Sequence, residues 1–291
     1  MLVRSLLFIP ANSPKMLLKS NVMQTDFIIF DLEDGVAEDR KAEARELLRA
    51  YLTSGLVSCR YMIRVNRVGS AAFQADLASL QGVPFAGLYL PKVEEPEEVR
   101  AAAAALDALE QDTPGIPRRF LFNTVETPLG LEQSFACLRA SDRVAGVCLG
   151  SEDYAAAMGV SRSADYTELD YARRRLVTAA KAAGKAAVDT VFADVKDLDG
   201  LRRESLYAKQ LGYDGKAAVS PAQISVIHQA FLPKEAEIRR AKAVVEAFAQ
   251  ARQQSSGIAL LDGAMIDKPV LEQAEAILQA VQSIGMQEQI L

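Results

Sequence analysis

Histidine is almost absent: one of the 291 residues, His228, is a histidine, and it falls in a helical stretch. A Ser-His-Asp triad or a His-ligated metal site is thereby nearly excluded, so base chemistry falls to carboxylates, Lys, Tyr or bound water. Cysteine is scarce as well. Cys59, Cys137 and Cys148 show no CxxC spacing, which argues against a zinc site or a disulfide framework, and Cys148 lies in an apolar run where a structural thiol is expected. The lack of a Walker-type or GxGxxG loop lowers nucleotide hydrolase and dinucleotide-dehydrogenase readings. With a net charge of −5 and no sustained Lys/Arg run, nucleic acid is not expected as a partner. Long apolar runs are missing too. The start Ser5-Leu6-Leu7-Phe8-Ile9-Pro10 is too short for a signal segment or a membrane span, so the expectation is a cytoplasmic or organelle-matrix protein without a membrane partner.

What is there reads as a globular chain, with 50% hydrophobic and 24% charged residues. Its length suits a single α/β barrel of roughly 250 residues plus an appendage. Short apolar β-type runs at 5–9, 27–32, 62–65, 87–90, 120–125, 145–149, 186–191 and 215–219 alternate with Ala/Leu/Glu/Lys-rich helical stretches. That count and alternation predict a TIM-like (β/α)8 barrel with a small C-terminal lid segment. The barrel is expected over 1–233 and a helical extension and lid over 234–291. Ser220-Pro221-Ala222-Gln223 reads as a helix start, with Ser as cap, Pro at the first helical position and Gln completing a capping box. A further helix follows over 236–251, then a polar linker at 252–257. The segments 258–261, Asp262-Gly263 and 265–269 lead into a last helix. This tail is too small to fold alone and is expected to serve as a lid or an arm on a neighbour.

Chemistry concentrates where the apolar runs end. Phe122 to Gly130 contains Glu126, and Leu149-Gly150-Ser151-Glu152-Asp153-Tyr154 contains Asp153, 27 positions further on. That is about one βα unit, so the two strands can be neighbours and the two carboxylates can share a hard cation such as Mg²⁺. Acids at strand ends also cap helices, and that reading stays open. Asp31-Leu32-Glu33-Asp34-Gly35 reads either as a helix-capping and salt-bridge cluster or as a support that orients metal-bound water or an arginine across the barrel mouth, with Glu33 and Asp34 the candidates. The arginine is Arg64, in Ile63-Arg64-Val65-Asn66. It is a partner for an acid such as Glu33, or it stabilises a developing enolate or carbonyl oxygen. Ser13-Pro14 looks like a helix start. Arg4, Lys15 and Lys19 form a small basic patch, read either as solvated surface or as a phosphate site, which makes Arg4 and Lys19 candidate substrate contacts.

Taken in order, Arg4 to Pro10 with Asn12-Ser13-Pro14-Lys15-Met16, Asp31-Leu32-Glu33-Asp34, Ile63-Arg64-Val65-Asn66, Leu90-Pro91-Lys92-Val93-Glu94, Glu126-Thr127-Pro128 and Gly150-Ser151-Glu152-Asp153-Tyr154 resemble the citrate lyase β-subunit-like family of the HpcH/HpaI aldolase superfamily. Gly212 to Lys216, Pro221-Ala222-Gln223 and Met265-Ile266-Asp267 extend the resemblance over nearly the whole chain. It implies a carbon–carbon lyase, dependent on Mg²⁺, that acts on a 3-hydroxyacyl thioester such as malyl-CoA, citramalyl-CoA or a citryl thioester and releases a 2-oxo acid. On matching positions it implies that Glu126 and Asp153 hold Mg²⁺, that Arg64 and Glu126 contact substrate, and that Asp267 reaches into a neighbouring subunit's site within a homo-oligomer, a trimer being favoured. Two alternatives accompany it: a citrate lyase β chain working with partner chains, and a pyruvate-type class II aldolase. The chain departs from the family pattern at Ser220, where a His is usual before Pro-x-Gln, and at Ala11, where Gly is common.

Overall fold

The eight apolar runs become the eight parallel strands of a closed barrel, paired in sequence order with β8 closing on β1. The computed structural model describes residues 2–111, 117–163, 166–253 and 257–288. Its strands are β1 (Ser5–Pro10), β2 (Phe27–Asp31), β3 (Tyr61–Arg64), β4 (Gly87–Leu90), β5 (Phe120–Val125), β6 (Val144–Leu149), β7 (Ala186–Asp189) and β8 (Gly215–Ala218). Between and after them run α1 (Pro14–Lys19), α2 (Lys41–Thr53), α3 (Ala71–Ser79), α4 (Pro96–Gln111), α5 (Pro128–Glu132), α6 (Ser134–Arg139), α7 (Ser151–Met158), α8 (Asp170–Ala182), α9 (Leu198–Leu211) and α10 (Pro221–Phe231). The seventh strand ends at Asp189, two residues before its apolar run does. At α10 the Gln223 side chain accepts from the backbone N–H groups of Val219 and Ser220, so the expected Pro-x-Gln start is built through Gln. Among the described residues, no helix is long and apolar enough to cross a membrane.

Side chains alternate along each strand, so the barrel has two cores. Leu6, Phe27, Ile29, Met62, Tyr89, Phe122, Cys148, Val188 and Ala217 fill its interior, while Leu7, Ile9, Ile28, Phe30, Ile63 and Leu88 face the helices. Stacked Tyr89 and Phe122, with ring centroids 5.9 Å apart, and Phe8 edge-on to Tyr89 at 5.5 Å, make the interior solid. Gly146 makes room for Phe122, since a Cβ there would lie 2.4 Å from that ring. The β5–β6 register slips once, between Leu121 and Phe122: Leu121 pairs with Val144 but Phe122 with Gly146, leaving Ala145 as a bulge residue.

Asp189, the last residue of β7, is fully buried in a charge network. Its carboxylate accepts from Arg173 at 2.9 and 3.1 Å and from Lys216 at 2.8 Å, and both cations also bond Glu204. Against the burial that raises it, the Lys216 and Arg173 charges hold the Asp189 carboxyl below its usual range.

The chain divides into two compact units, Val3–Phe231 and Leu232–Leu291. In the second unit, α11 (Glu235–Gln253), the strands β9 (Ala259–Leu261) and β10 (Ala264–Ile266), and α12 (Lys268–Glu288) share a core of Ala241, Val244, Phe248, Ala259, Ile266, Leu271 and Ala274. The expected 252–257 linker starts later than its composition suggested, because α11 continues to Gln253; residues 254–256 lie outside those described. The two strands form a hairpin. Asp262 and Gly263 at its tip both have positive φ, 52° and 77°, the two-residue turn that Asp-Gly favours.

Removing one cation from the buried network leaves acids without compensation. Lys216→Met is therefore expected to cost about 3–5 kcal/mol in urea unfolding at neutral pH. The depressed Asp189 contributes stability that is present above the unfolded Asp value of about 3.9 and is lost as pH falls, so the gap between variant and wild type is expected to narrow on acidification.

Candidate active site at the barrel mouth

Glu126 follows the last residue of β5 and faces inward, as Thr124 does two residues earlier. Next door, the ladder continues by one bond, Gly150 N–H to Val125 O at 2.9 Å, before the chain turns into α7. Gly150 is required there. A Cβ would lie 2.3 Å from Glu126 Cγ, so the glutamate crosses over the backbone of the neighbouring strand end. Asp153 is in the first turn of α7, where an acid also suits the helix dipole. Both carboxylates line a cavity of about 230 Å³ with Phe8, Arg64, Tyr89, Cys148 and Thr190.

Glu126 is only 3% exposed and its Oε2 has no hydrogen-bond partner. Burial, with added repulsion from Glu33 and Asp153, pushes its carboxyl up to about 8. A buried acid in this state calls for positive charge. Among the described residues no cluster of three or more His, Cys, Asp or Glu is placed to hold a metal. Two carboxylates with an open cavity between them nonetheless suit a small hard cation that takes its other ligands from water and substrate oxygens, as Mg²⁺ does. Cys148 lines the cavity as a thiol, since burial pushes it up to about 12.

Arg64, the last residue of β3, is a partner for acids, the first of the roles its position suggested. Asp31 takes its Nε and Nη2 at 2.7 and 2.5 Å, a two-point grip, while Nη1 faces Glu33 Oε2 at 3.3 Å. Its guanidinium stands 5.1 Å from the centre of the Phe8 ring and lines the cavity. Asp31 is in turn fixed by the backbone N–H groups of Glu33 and Gly35, both at 2.9 Å. Asp34 and Glu33 meet Lys92 at 3.4 and 3.1 Å.

The basic patch does not assemble at this mouth. Arg4 precedes β1, at the opposite end of the barrel, where it is buried and grips Asp26 at 2.8 and 3.1 Å. That pairing corrects the expectation that Arg4 meets substrate: its guanidinium is used within the fold. Lys19 is exposed at the end of α1, beside a groove lined by Pro221 and His228 and away from the cavity residues. His228 also belongs to that far end, its Nε2 2.8 Å from Ser5 Oγ. Asp267 caps α12 through the Val270 N–H at 3.3 Å. Sequence reasoning missed Asp31 as the main partner of Arg64, although its place at a strand end beside Glu33 was a signal. Lys92 carried the signal of a charged residue just past an apolar run, and Gly150 carried none beyond the resemblance.

A closed parallel barrel with an arginine and two acids in one cavity at the C-terminal ends of its strands defines an α/β-barrel enzyme scaffold. Residues 4–221 match the family model of HpcH/HpaI aldolase/citrate lyase, and the chain belongs to that family. It is 34% identical to citrate lyase subunit beta of Haemophilus influenzae over 98% of this chain and 99% of that one. It is 36% identical to the mitochondrial citramalyl-CoA lyase of Mus musculus, over 97% of this chain and 86% of the other. A crystal structure of the protein CitE from Mycobacterium tuberculosis in complex with magnesium, acetoacetate and coenzyme A superposes with a TM-score of 0.76 at 32% identity, covering 96% of this chain and 97% of that one.

If this cavity takes a divalent cation, calorimetric titration of Mg²⁺ should give one site per chain. Asp153→Asn removes one carboxylate, and Gly150→Ala displaces the other; each is expected to weaken binding by about 10–100-fold. Unchanged affinity in Asp153→Asn would remove that residue from the metal site.

Proposed function

We propose that the protein is a Mg²⁺-dependent carbon–carbon lyase that cleaves, or in reverse forms, a 3-hydroxyacyl-CoA thioester such as citramalyl-CoA or malyl-CoA, giving acetyl-CoA and a 2-oxo acid. The observation that carries this reading is the meeting of an arginine locked by Asp31 with the partnerless buried oxygen of Glu126 in one cavity. Support comes from the relatives, since citramalyl-CoA lyase acts on this class of thioester and the CitE complex holds magnesium with coenzyme A. Bound between Glu126 and Asp153, the ion would act as a Lewis acid toward the carboxylate and carbonyl oxygens of the 2-oxo acid.

The chain's own groups account for the rest. Breaking the bond between the α and β carbons leaves negative charge on the thioester oxygen, and Arg64 is held in advance to meet it, with no reorganisation at the moment of reaction. The interior below, closed by Phe8, Tyr89 and Phe122, excludes water from that oxygen. As the bond breaks the 3-hydroxyl loses its proton and its C–O bond becomes the carbonyl of the 2-oxo acid, while the α carbon takes up one proton, so none is gained or lost overall. We assign the delivery to carbon to Asp267 of a neighbouring copy in a homo-oligomer. The hairpin preceding it supports this arrangement: Leu260 and Met265 are paired in register and are 75% and 59% exposed, an apolar face that docking on another chain would cover. A citrate lyase β chain is the second reading, favoured by the full-length match to the Haemophilus influenzae protein. A pyruvate-type aldolase is less well supported, because the one histidine lies with Ser5.

Incubation with malyl-, citramalyl- and citryl-CoA in the presence of Mg²⁺, with identification of the 2-oxo acid released, tests the function. Cleavage of citramalyl- or malyl-CoA by the isolated chain is expected; cleavage of citryl thioester alone, and only with partner chains, would give the second reading. Arg64→Lys should lose nearly as much kcat as Arg64→Ala, because a point charge does not reproduce a guanidinium gripped at two points. Mixing Arg64→Ala with Asp267→Asn, each inactive alone, should restore partial activity through hybrid sites. No recovery despite demonstrated subunit exchange would confine the site to one chain.

A further inference from the structure

We propose that Lys92 is a positioning residue for Arg64, acting through Glu33. Lys92 is the second residue beyond β4 and has a φ of 51°, in the left-handed region that a side-chain-bearing residue enters at a cost. Apart from Tyr166 and the hairpin-tip Asp262, the described positions with positive φ are glycines. The backbone after Lys92 is pinned from both sides. Val93 N–H donates to Thr124 O at 3.1 Å, and Val93 O approaches Gly130 so closely that a Cβ there would sit 2.5 Å away. Such strain persists where surrounding contacts over-determine it, and it marks sites whose geometry is used.

What it achieves is the placement of one ammonium group. Lys92 Nζ lies 3.1 Å from Glu33 Oε1, and the other oxygen of that carboxylate faces Arg64 Nη1 at 3.3 Å and accepts the Asp34 N–H at 3.0 Å. Glu33 is 5% exposed, so it is a buried anion held between two cations on opposite sides. With Lys92 gone, Arg64 alone compensates it. The guanidinium is then drawn toward Glu33, away from its place over Phe8 and out of the cavity where the thioester oxygen would meet it. Lys92 does not line that cavity; its contacts reach Arg64 through Glu33, and its charge also acts at longer range on Glu126.

The kinetic part of the test rests on the lyase reading; the spectroscopic part does not. Lys92→Met and Lys92→Gly are expected to lower kcat for thioester cleavage by about 10–100-fold with KM almost unchanged, the glycine giving no benefit because it removes strain and charge together. Lys92→Arg, which keeps the charge, should recover most of the rate. In a Glu33→Gln background, Lys92→Met should add no further loss. A Lys92→Met enzyme within about twofold of wild-type kcat, or losses that add in the double variant, would overturn the proposal. If wild type cleaves no thioester, the lyase reading alone fails and the Arg64 side-chain Nε–H resonance decides, assigned by its disappearance in Arg64→Lys. That resonance should move in Lys92→Met and stay in place in Lys92→Arg; an unmoved signal in Lys92→Met overturns the positioning role.

Discussion

A carboxylate buried beside others of its own sign is the constraint around which the barrel mouth is arranged. Glu126 is desolvated at the end of β5, feels Glu33 and Asp153, and leaves one oxygen without a donor. Burial pushes its carboxyl up to about 8, so it rests protonated near neutral pH and ionises readily only when positive charge is brought to it. Here the surroundings keep it. Gly150 yields the space of a side chain so that the glutamate can cross it, and Arg64 is held nearby but committed to Asp31 and Glu33. The mouth is therefore under-neutralised by construction and ready for a ligand that brings positive charge.

Other buried acids of the barrel are balanced differently. At the end of β7 Asp189 and Glu204 meet Arg173 and Lys216, and before β1 and β2 Arg4 meets Asp26, so each of these buried acids has a cation within hydrogen-bonding distance. Both kinds of arrangement use charged residues in buried positions. The cavity around Glu126 leaves the sum open, which is how the two arrangements can be told apart without reference to any ligand.

The strands were legible because a parallel strand covered on both faces is a short apolar run, and that signal needs no tertiary information. Glu126, Asp153 and Arg64 could be singled out for the same reason: each ends or follows such a run, and the end of a parallel strand is a place in the fold. Arg4 was misread because position along the chain does not reveal which end of a strand a residue occupies in relation to the mouth. Its partner Asp26 precedes β2 as Arg4 precedes β1, and two residues at two strand starts meet at the closed end. The hairpin was overlooked although Asp262-Gly263 is a turn signal, since its strands are only three residues long. Lys92 was legible as a charged residue past a strand end, but its role was not. Its significance lies in a backbone dihedral and in contacts made across 59 positions.

The single slip in the β5–β6 register has a bearing on how this scaffold can diverge. Ala145 is one residue inserted into one strand, yet it sets the phase of everything downstream, so that Thr124 and Cys148 share a rung and Glu126 comes to lie over Gly150. Loss of that residue would move the whole glycine-acid segment one rung along its neighbour and exchange inward for outward side chains. The register that sets Glu126 over Gly150 is thus not free to drift by one. A residue added or lost in the connection between the two strands leaves that register in place, whereas one added or lost within the strand does not.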